Sequence, residues 1–362
     1  MITRRTVLAA AGAVAAGLPL AQPSAAAGRG PTVGPRVLAR RRAVSAAGVR
    51  VDATAFPLSH LTVQWRGPDR PAFRARFASG WGDWTAVRSC GAGRDDKADA
   101  TGSALLAAPG AVGYDIASAP GSGTTAVVEL NAGTGPINPT AEPLRVAGRD
   151  PGGVRYLNRA AWRADESLRF GSDGSETWPA EYFPVQTLTV HHTATTNDDP
   201  DPAATMRAIY YYHAVTLGWG DVGYHLLIDE AGRVYEGRWS GPDPVPALGV
   251  DVGPDGRPPM VNAGHVGGYN AGNIGVAILG DLTDRLPTTA ARRSLAALLA
   301  VLAGVERLNP SGTTRYVNPI SGATATVDTI SGHRDWLATE CPGNRFYPQL
   351  PSLRRDVARL LR

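Results

Sequence analysis

The chain has 362 residues, more than one ordinary core requires and enough for two domains. Its 43% hydrophobic and 19% charged residues exclude a disordered chain, and 43 glycines with 29 prolines predict abundant loop. The net charge of +4 is modest and scattered, which excludes nucleic acid as a partner recruited by charge.

At the N-terminus, Thr3-Arg4-Arg5-Thr6-Val7-Leu8 leads into an apolar run ending near Leu20, and Ala25-Ala26-Ala27 reads as an A-x-A cleavage site. Residues 1–27 are therefore expected to be an export signal, placing the protein outside the cell or at the cell wall. The paired arginines favour the twin-arginine route, whereas the lack of that motif's phenylalanine suits general secretion equally well. The run falls short of the ~20 apolar residues of a membrane-spanning helix, and no later stretch reaches that length, so no stable membrane insertion is expected.

Residues 28–50, rich in Ala, Arg, Gly and Pro without a period, read as a linker. Residues 51–131 then carry short alternating stretches bounded by Gly, Pro and Asp, such as Ala72-Phe-Arg-Ala-Arg-Phe77 and His60-Leu-Thr-Val-Gln-Trp65. This is the half-buried strand signal, and it predicts a small all-β sandwich. Its Gly80-Trp81-Gly82-Asp83-Trp84 has two readings, a sugar-stacking platform or ordinary sandwich tryptophans, and the second is the simpler. Residues 132–153 are again Gly/Pro-rich and are expected to link this unit to the next.

From residue 154 to 362 strands and helices alternate, the pattern of an α/β domain. Pro184-Val-Gln-Thr-Leu-Thr-Val190 is a buried strand running into His191 and His192. The spacing predicts a helix from Asp201 to about Leu217, strands at Gly223-Tyr-His-Leu-Leu-Ile228, Val234-Tyr-Glu-Gly237 and Ile274-Gly-Val-Ala-Ile-Leu279, and an amphipathic helix from Thr288 to about Leu308. Residues 240–260 and 309–329 read as insertions, the first a potential wall of a cleft.

The chemistry collects in Ile330-Ser-Gly-His-Arg-Asp-Trp-Leu-Ala-Thr-Glu-Cys-Pro-Gly343, where His333 precedes Cys341 by eight residues. An imidazole and a thiolate suit zinc, and a catalytic zinc takes three protein ligands. A histidine at the end of a central strand supplies the third, and His191 and His192 point to opposite faces, so only one of them serves. Spacing alone does not choose between them. The competing reading of Cys341, a disulfide to Cys90, requires a bond between two different expected domains.

Five blocks carry a resemblance. Val190-His-His-Thr-Ala-Thr195, Gly218-Trp-Gly-Asp-Val-Gly-Tyr-His225, Tyr235-Glu-Gly-Arg238, Gly264-His-Val-Gly-Gly-Tyr-Asn-Ala-Gly-Asn-Ile-Gly275, and Gly332-His-Arg-Asp335 with Thr339-Glu-Cys-Pro-Gly343 occur in order. They resemble the type 2 N-acetylmuramoyl-L-alanine amidases, most closely the bacterial peptidoglycan-recognition proteins. The resemblance spans about residues 155–362 and implies a mixed central sheet flanked by helices. It implies Zn2+ held by His191, His333 and Cys341, and a catalytic tyrosine at Tyr224. Thr339 falls where phage-type amidases carry a lysine. Its hydroxyl donates a hydrogen bond without charge, which leaves it either an oxyanion donor or a loop cap.

The same resemblance places His265 and Asn270 in the block lining the substrate groove, with Trp219 and Arg238 as further substrate contacts. His213 and His225 are assigned to structure. The implied reaction is hydrolysis of the amide between N-acetylmuramic acid and L-alanine of the stem peptide, by a monomer whose partners are peptidoglycan and muropeptides. The alternative is a recognition protein that binds muropeptides without cutting them, and a third reading makes the sandwich a wall-adhesion module.

Overall fold

The computed structural model describes residues 37–89, 93–95, 102–133, 140–144, 153–242 and 245–362. The expected export signal and Cys90 lie outside the described residues, as do parts of both expected linkers.

The first half consists of short strands: β1 (Leu38–Arg42), β2 (Gly48–Val51), β3 (His60–Arg66), β4 (Ala72–Phe77), β5 (Gly80–Trp81), β6 (Thr85–Ala86), β7 (Gly102–Ala107), β8 (Gly113–Ala117) and β9 (Gly123–Asn131). They form two antiparallel sheets, ordered β1-β9-β3-β7 and β2-β8-β4-β5, with β6 beside β4. Leu61, Val63 and Trp65 of the first sheet meet Phe73, Tyr114 and Ile116 of the second in a common core. Burial of each such side chain contributes about 1.5–3 kcal/mol.

Strands β1 and β2 correct the expectation of a linker over residues 28–50. The arginines of β1 hide it from a hydrophobicity pattern, because an edge strand exposes its side chains and is held by its backbone pairing with β9. Arg42 adds an ion pair of 2.5 Å to the buried Glu129. Trp81 and Trp84 stack with the chain's own cations, Trp84 remaining exposed: the Arg74 guanidinium lies 4.7 Å and 4.5 Å from their ring centroids, and Arg50 lies 4.9 Å from that of Trp81.

The second half alternates strands with helices. In chain order these are β10 (Glu142–Pro143), β11 (Arg155–Leu157), β12 (Tyr182–Phe183), β13 (Thr187–His192), α1 (Pro202–Tyr211), β14 (Leu226–Ile228), β15 (Val234–Glu236), β16 (Met260–Val261), β17 (Asn273–Ile278), α2 (Thr289–Val305), β18 (Thr313–Val317), β19 (Thr324–Asp328), β20 (Ile330–Gly332) and α3 (Leu350–Leu360). Among the described residues, seven strands form a mixed sheet ordered β10-β11-β15-β14-β17-β13-β20. Its centre is parallel, β13 lying between β17 and β20, and all six residues of β13 are buried. Strand β10 corrects the second linker, since Glu142 and Pro143 pair with β11.

Strand alternation assigns the two faces. Val190, Leu226, Ile228, Val276 and Ile278 pack with α2 and α3, while Leu227, Tyr235 and Ala277 pack with α1. Both helices begin where the sequence caps them: Asp201 accepts from the Ala204 N–H, and Thr288 from the Ala291 N–H. In the first insertion, Ala247 and Leu248 are buried in the core beside α2, while residues 253–259 wall a cavity of about 220 Å³ with Pro184 and Val185.

The core beneath α1 continues into the sandwich. Leu105 and Leu130 join Ala203, Met206 and Ile209 in one apolar cluster. His60 Nε2 lies 3.1 Å from Thr205 Oγ1, and Arg207 donates to the carbonyls of Ala132 and Gly133 at 2.7 Å and 2.6 Å. The described residues therefore all fall within one compact unit.

Candidate metal centre

The register of the parallel strands builds the centre. Gly332 of β20 is opposite Val190 of β13, so the next residues, His333 and His191, become neighbours at the carboxyl ends of adjacent strands. Their ring centroids are 4.7 Å apart. The loop after β20 returns Cys341 to the same point, its Sγ 3.6 Å from His191 Nδ1. Ligand atoms of His191, His333 and Cys341 all lie within 4.8 Å of one another, and all three residues are buried. His192, on the opposite face, instead accepts from the Leu282 N–H through Nδ1 at 3.0 Å.

Two observations fit this cluster to a metal ion. Both ring nitrogens of the fully buried His333 lack a hydrogen-bond partner, an arrangement that costs about 1–3 kcal/mol for each group left unsatisfied. The donor set of two imidazoles and one thiol is also that of a catalytic zinc site with one open position.

A hydrogen-bond relay orients His191. His265 Nε2 lies 2.8 Å from the Asn273 carbonyl, which only accepts, so Nε2 carries the proton and Nδ1 is an acceptor. His191 Nε2, 3.0 Å from that Nδ1, therefore donates to it, and His191 Nδ1 presents its lone pair toward Cys341. Gly275 makes room for this relay, because a Cβ there would come within 2.5 Å of the His265 ring.

Burial keeps the imidazoles neutral. It holds His191 well below the usual histidine range, helped by the neighbouring His333 and His265, and pushes His333 to about 3 and His265 to about 4. Neutral rings are the ligand form, so the site needs no deprotonation of histidine to bind metal near neutral pH.

Tyr224 is buried against this cluster, its ring centroid 5.3 Å from that of His191. Thr339 Oγ1 accepts from the Cys341 N–H at 3.2 Å, and Cys341 Sγ accepts from the His192 N–H at 3.4 Å. Both contacts fix the loop that carries the thiol.

The four residues expected to contact substrate are all buried and held by groups of the chain itself. Arg238 is fully buried, with its guanidinium committed to Asp221 at 2.9 Å and to the carbonyls of Asn262, Trp178 and Pro179. It has no fork to offer a ligand. Trp219 is buried against His213, and His265 is spent in the relay. Asn270 accepts from the N–H groups of His265 and Val266, both at 2.8 Å, and turns its Nδ2 toward residues 93–95. His213 and His225 serve the backbone, accepting from the Gly223 and Gly275 N–H groups.

Sequence reasoning missed Asp221 as an organising group. Its carboxylate is buried between Arg159 and Arg238, each at 2.9 Å. A lone acid inside the apolar block 218–225 was its signal.

Sheet order and cluster together define an α/β domain with a candidate metal centre of two histidines and one cysteine. The family model described as N-acetylmuramoyl-L-alanine amidase matches residues 181–344. Mouse peptidoglycan recognition protein 1 is 31% identical over 200 residues, covering 54% of this chain and 85% of the mouse protein. Human N-acetylmuramoyl-L-alanine amidase is 32% identical over 178 residues, 46% of this chain, and the chain spans 24% of the human protein's length. The solved structure of Drosophila PGRP-LB is 24% identical with a TM-score of 0.39, covering 55% of this chain and 94% of that one. The chain belongs to the family of N-acetylmuramoyl-L-alanine amidases and peptidoglycan recognition proteins, whose members hydrolyse or recognise peptidoglycan.

Proposed function

We propose that this protein is a zinc-dependent hydrolase that cuts the amide between N-acetylmuramic acid and L-alanine in peptidoglycan. The observation that carries this reading is the buried cluster of His191, His333 and Cys341 with Tyr224 against it. A protein that only recognised muropeptides would need none of these ligand atoms gathered. Family membership supports the substrate, and the cluster supports turnover.

His191 Nδ1, a His333 ring nitrogen and Cys341 Sγ would hold the ion. Zinc bound there supplies a Lewis acid for the scissile carbonyl and lowers the pKa of water to about 7. The His265 relay keeps His191 in the tautomer that binds. Tyr224, beside His191, would donate a hydrogen bond where negative charge develops. Thr339 acts chiefly on the chain itself, since its hydroxyl holds the Cys341 N–H.

Export of the mature chain to the cell wall, directed by residues 1–27, is part of the same proposal. Among the described residues, no helix is long and apolar enough to cross a membrane. The protein is taken to act as a monomer, without nucleic acid.

A Cys341→Ser variant tests the reading. It should lose bound zinc and muropeptide hydrolysis together, whereas Thr339→Ala should retain most of both. Hydrolysis by Cys341→Ser at the parent rate would refute the assignment of Cys341 as a ligand.

A further inference from the structure

Residues 93–95 reach from the sandwich half onto the amidase half, against the block 264–270. Gly93 and Arg94 are buried there. The Arg94 guanidinium lies 4.0 Å from the Trp178 ring centroid and donates to the Trp219 carbonyl at 2.8 Å. These contacts deliver the Asp95 carboxylate to a cluster of three donors. The Gly268 N–H donates to Oδ1 at 2.8 Å, Asn270 Nδ2 also donates to Oδ1, and Asn318 Nδ2 lies 3.3 Å from Oδ2.

The donors are fixed before any ligand arrives. Asn270 Oδ1 is occupied by the N–H groups of His265 and Val266, and Asn318 Oδ1 by those of Ile320 and Ser321 at 2.8 Å and 3.2 Å. Both amides must therefore turn their NH2 groups to the same place. Both side chains are buried, with exposures of 0% and 1%. Asn270 Nδ2 also donates to the Gly93 carbonyl at 3.0 Å and Asn318 Nδ2 to the Gly268 carbonyl at 2.8 Å, so the carboxylate serves the half-buried Gly268 N–H and the second N–H of each amide. A cavity of about 430 Å³ lined by Arg94, Asp95, Trp178, Asn262 and Asn318 adjoins the position, room enough for a short peptide.

We propose that the Gly268 N–H, the Asn270 amide and the Asn318 amide form a carboxylate-binding subsite of the substrate groove. In this structure the subsite holds the Asp95 side chain, which a carboxylate of the peptidoglycan stem peptide displaces. Hydrogen bonds tie the subsite to the metal centre, since Asn270 accepts from the His265 N–H and His265 orients His191. This inference rests on the reading of the groove as a peptidoglycan site. It gives the sandwich half a role, as the carrier of an internal competitor for the groove.

The test is calorimetric titration of the full zinc-loaded chain with a stem peptide bearing free carboxylates, and with the same peptide amidated at every carboxylate. Neither has a bond for the enzyme to cut. Asp95→Ala should tighten the free peptide about tenfold, the worth of one charge-assisted hydrogen bond, and leave the amidated peptide within twofold. Asn318→Asp keeps the acceptor for Ile320 and Ser321 but removes the donors. Added to Asp95→Ala, it should weaken the free peptide about tenfold and spare the amidated one. Equal affinity for the two peptides in every variant would overturn the subsite while leaving the groove reading intact. Absence of binding by both peptides would overturn the groove reading and the subsite with it.

Discussion

His191 Nε2 and His265 Nδ1 face each other at 3.0 Å, and this single contact decides which nitrogen of His191 is left for a metal. The chain Asn273 carbonyl, His265, His191 is a backbone-anchored orienter of the kind that usually accompanies a metal-binding histidine. A His265→Phe variant retains a ring of similar size but offers no acceptor. Zinc affinity, read by competition with a chromophoric chelator, should fall about 10–100-fold. A change below twofold would remove His265 from the relay.

Asp221 is the electrostatic centre beneath the groove. Burial alone would raise its carboxyl, but the guanidiniums of Arg159 and Arg238 outweigh that and hold it below the usual carboxylate range. Asp221→Ala strands two buried cations, and denaturant unfolding should show a loss of about 3–5 kcal/mol. A loss under 1 kcal/mol would mean that the two arginines find other partners.

Acid should destabilise the metal-free chain through histidines that bind no metal. Burial lowers His60 from 6.5 to about 4, and His213 and His225 from 6.5 to about 3. Their folded pKa values lie below the unfolded one, so below pH 6.5 the unfolded chain takes up protons that the folded chain refuses. Stability is then fully present above that pH and falls as pH drops toward 4, by about 1.4 kcal/mol per pH unit for each group. The melting temperature should fall markedly between pH 7.5 and 5.5, and His60→Gln should flatten the slope. A melting temperature unchanged over that range would contradict the account.

What the sequence made legible follows from where its signals are local. The strand at β13 was readable because a run of buried β-branched residues ends in two histidines, and alternation alone put those two on opposite faces. The spacing of His333 and Cys341 was readable as ligand grammar, and the five blocks tied both to His191. Strand β1 was not, since its arginines give an edge strand the composition of a linker. Helix α3 was missed because only Leu350, Leu353 and Val357 are buried on it, too few to stand out in an arginine-rich segment. The burial of Arg238 was hidden as well, because its partner Asp221 is 17 residues away and only the fold brings the charges together. Nor could the sequence place Asp95 beside Asn270, which depends on how the two halves share the core under α1.

The most direct test of the central claim is mass spectrometry of muropeptides digested by the purified protein, with and without a chelator and after zinc is restored. The account predicts release of free stem peptides from N-acetylmuramic acid, abolished by chelation and recovered with zinc. Muropeptides that bind but remain whole in the presence of zinc, or hydrolysis indifferent to the chelator, would contradict it.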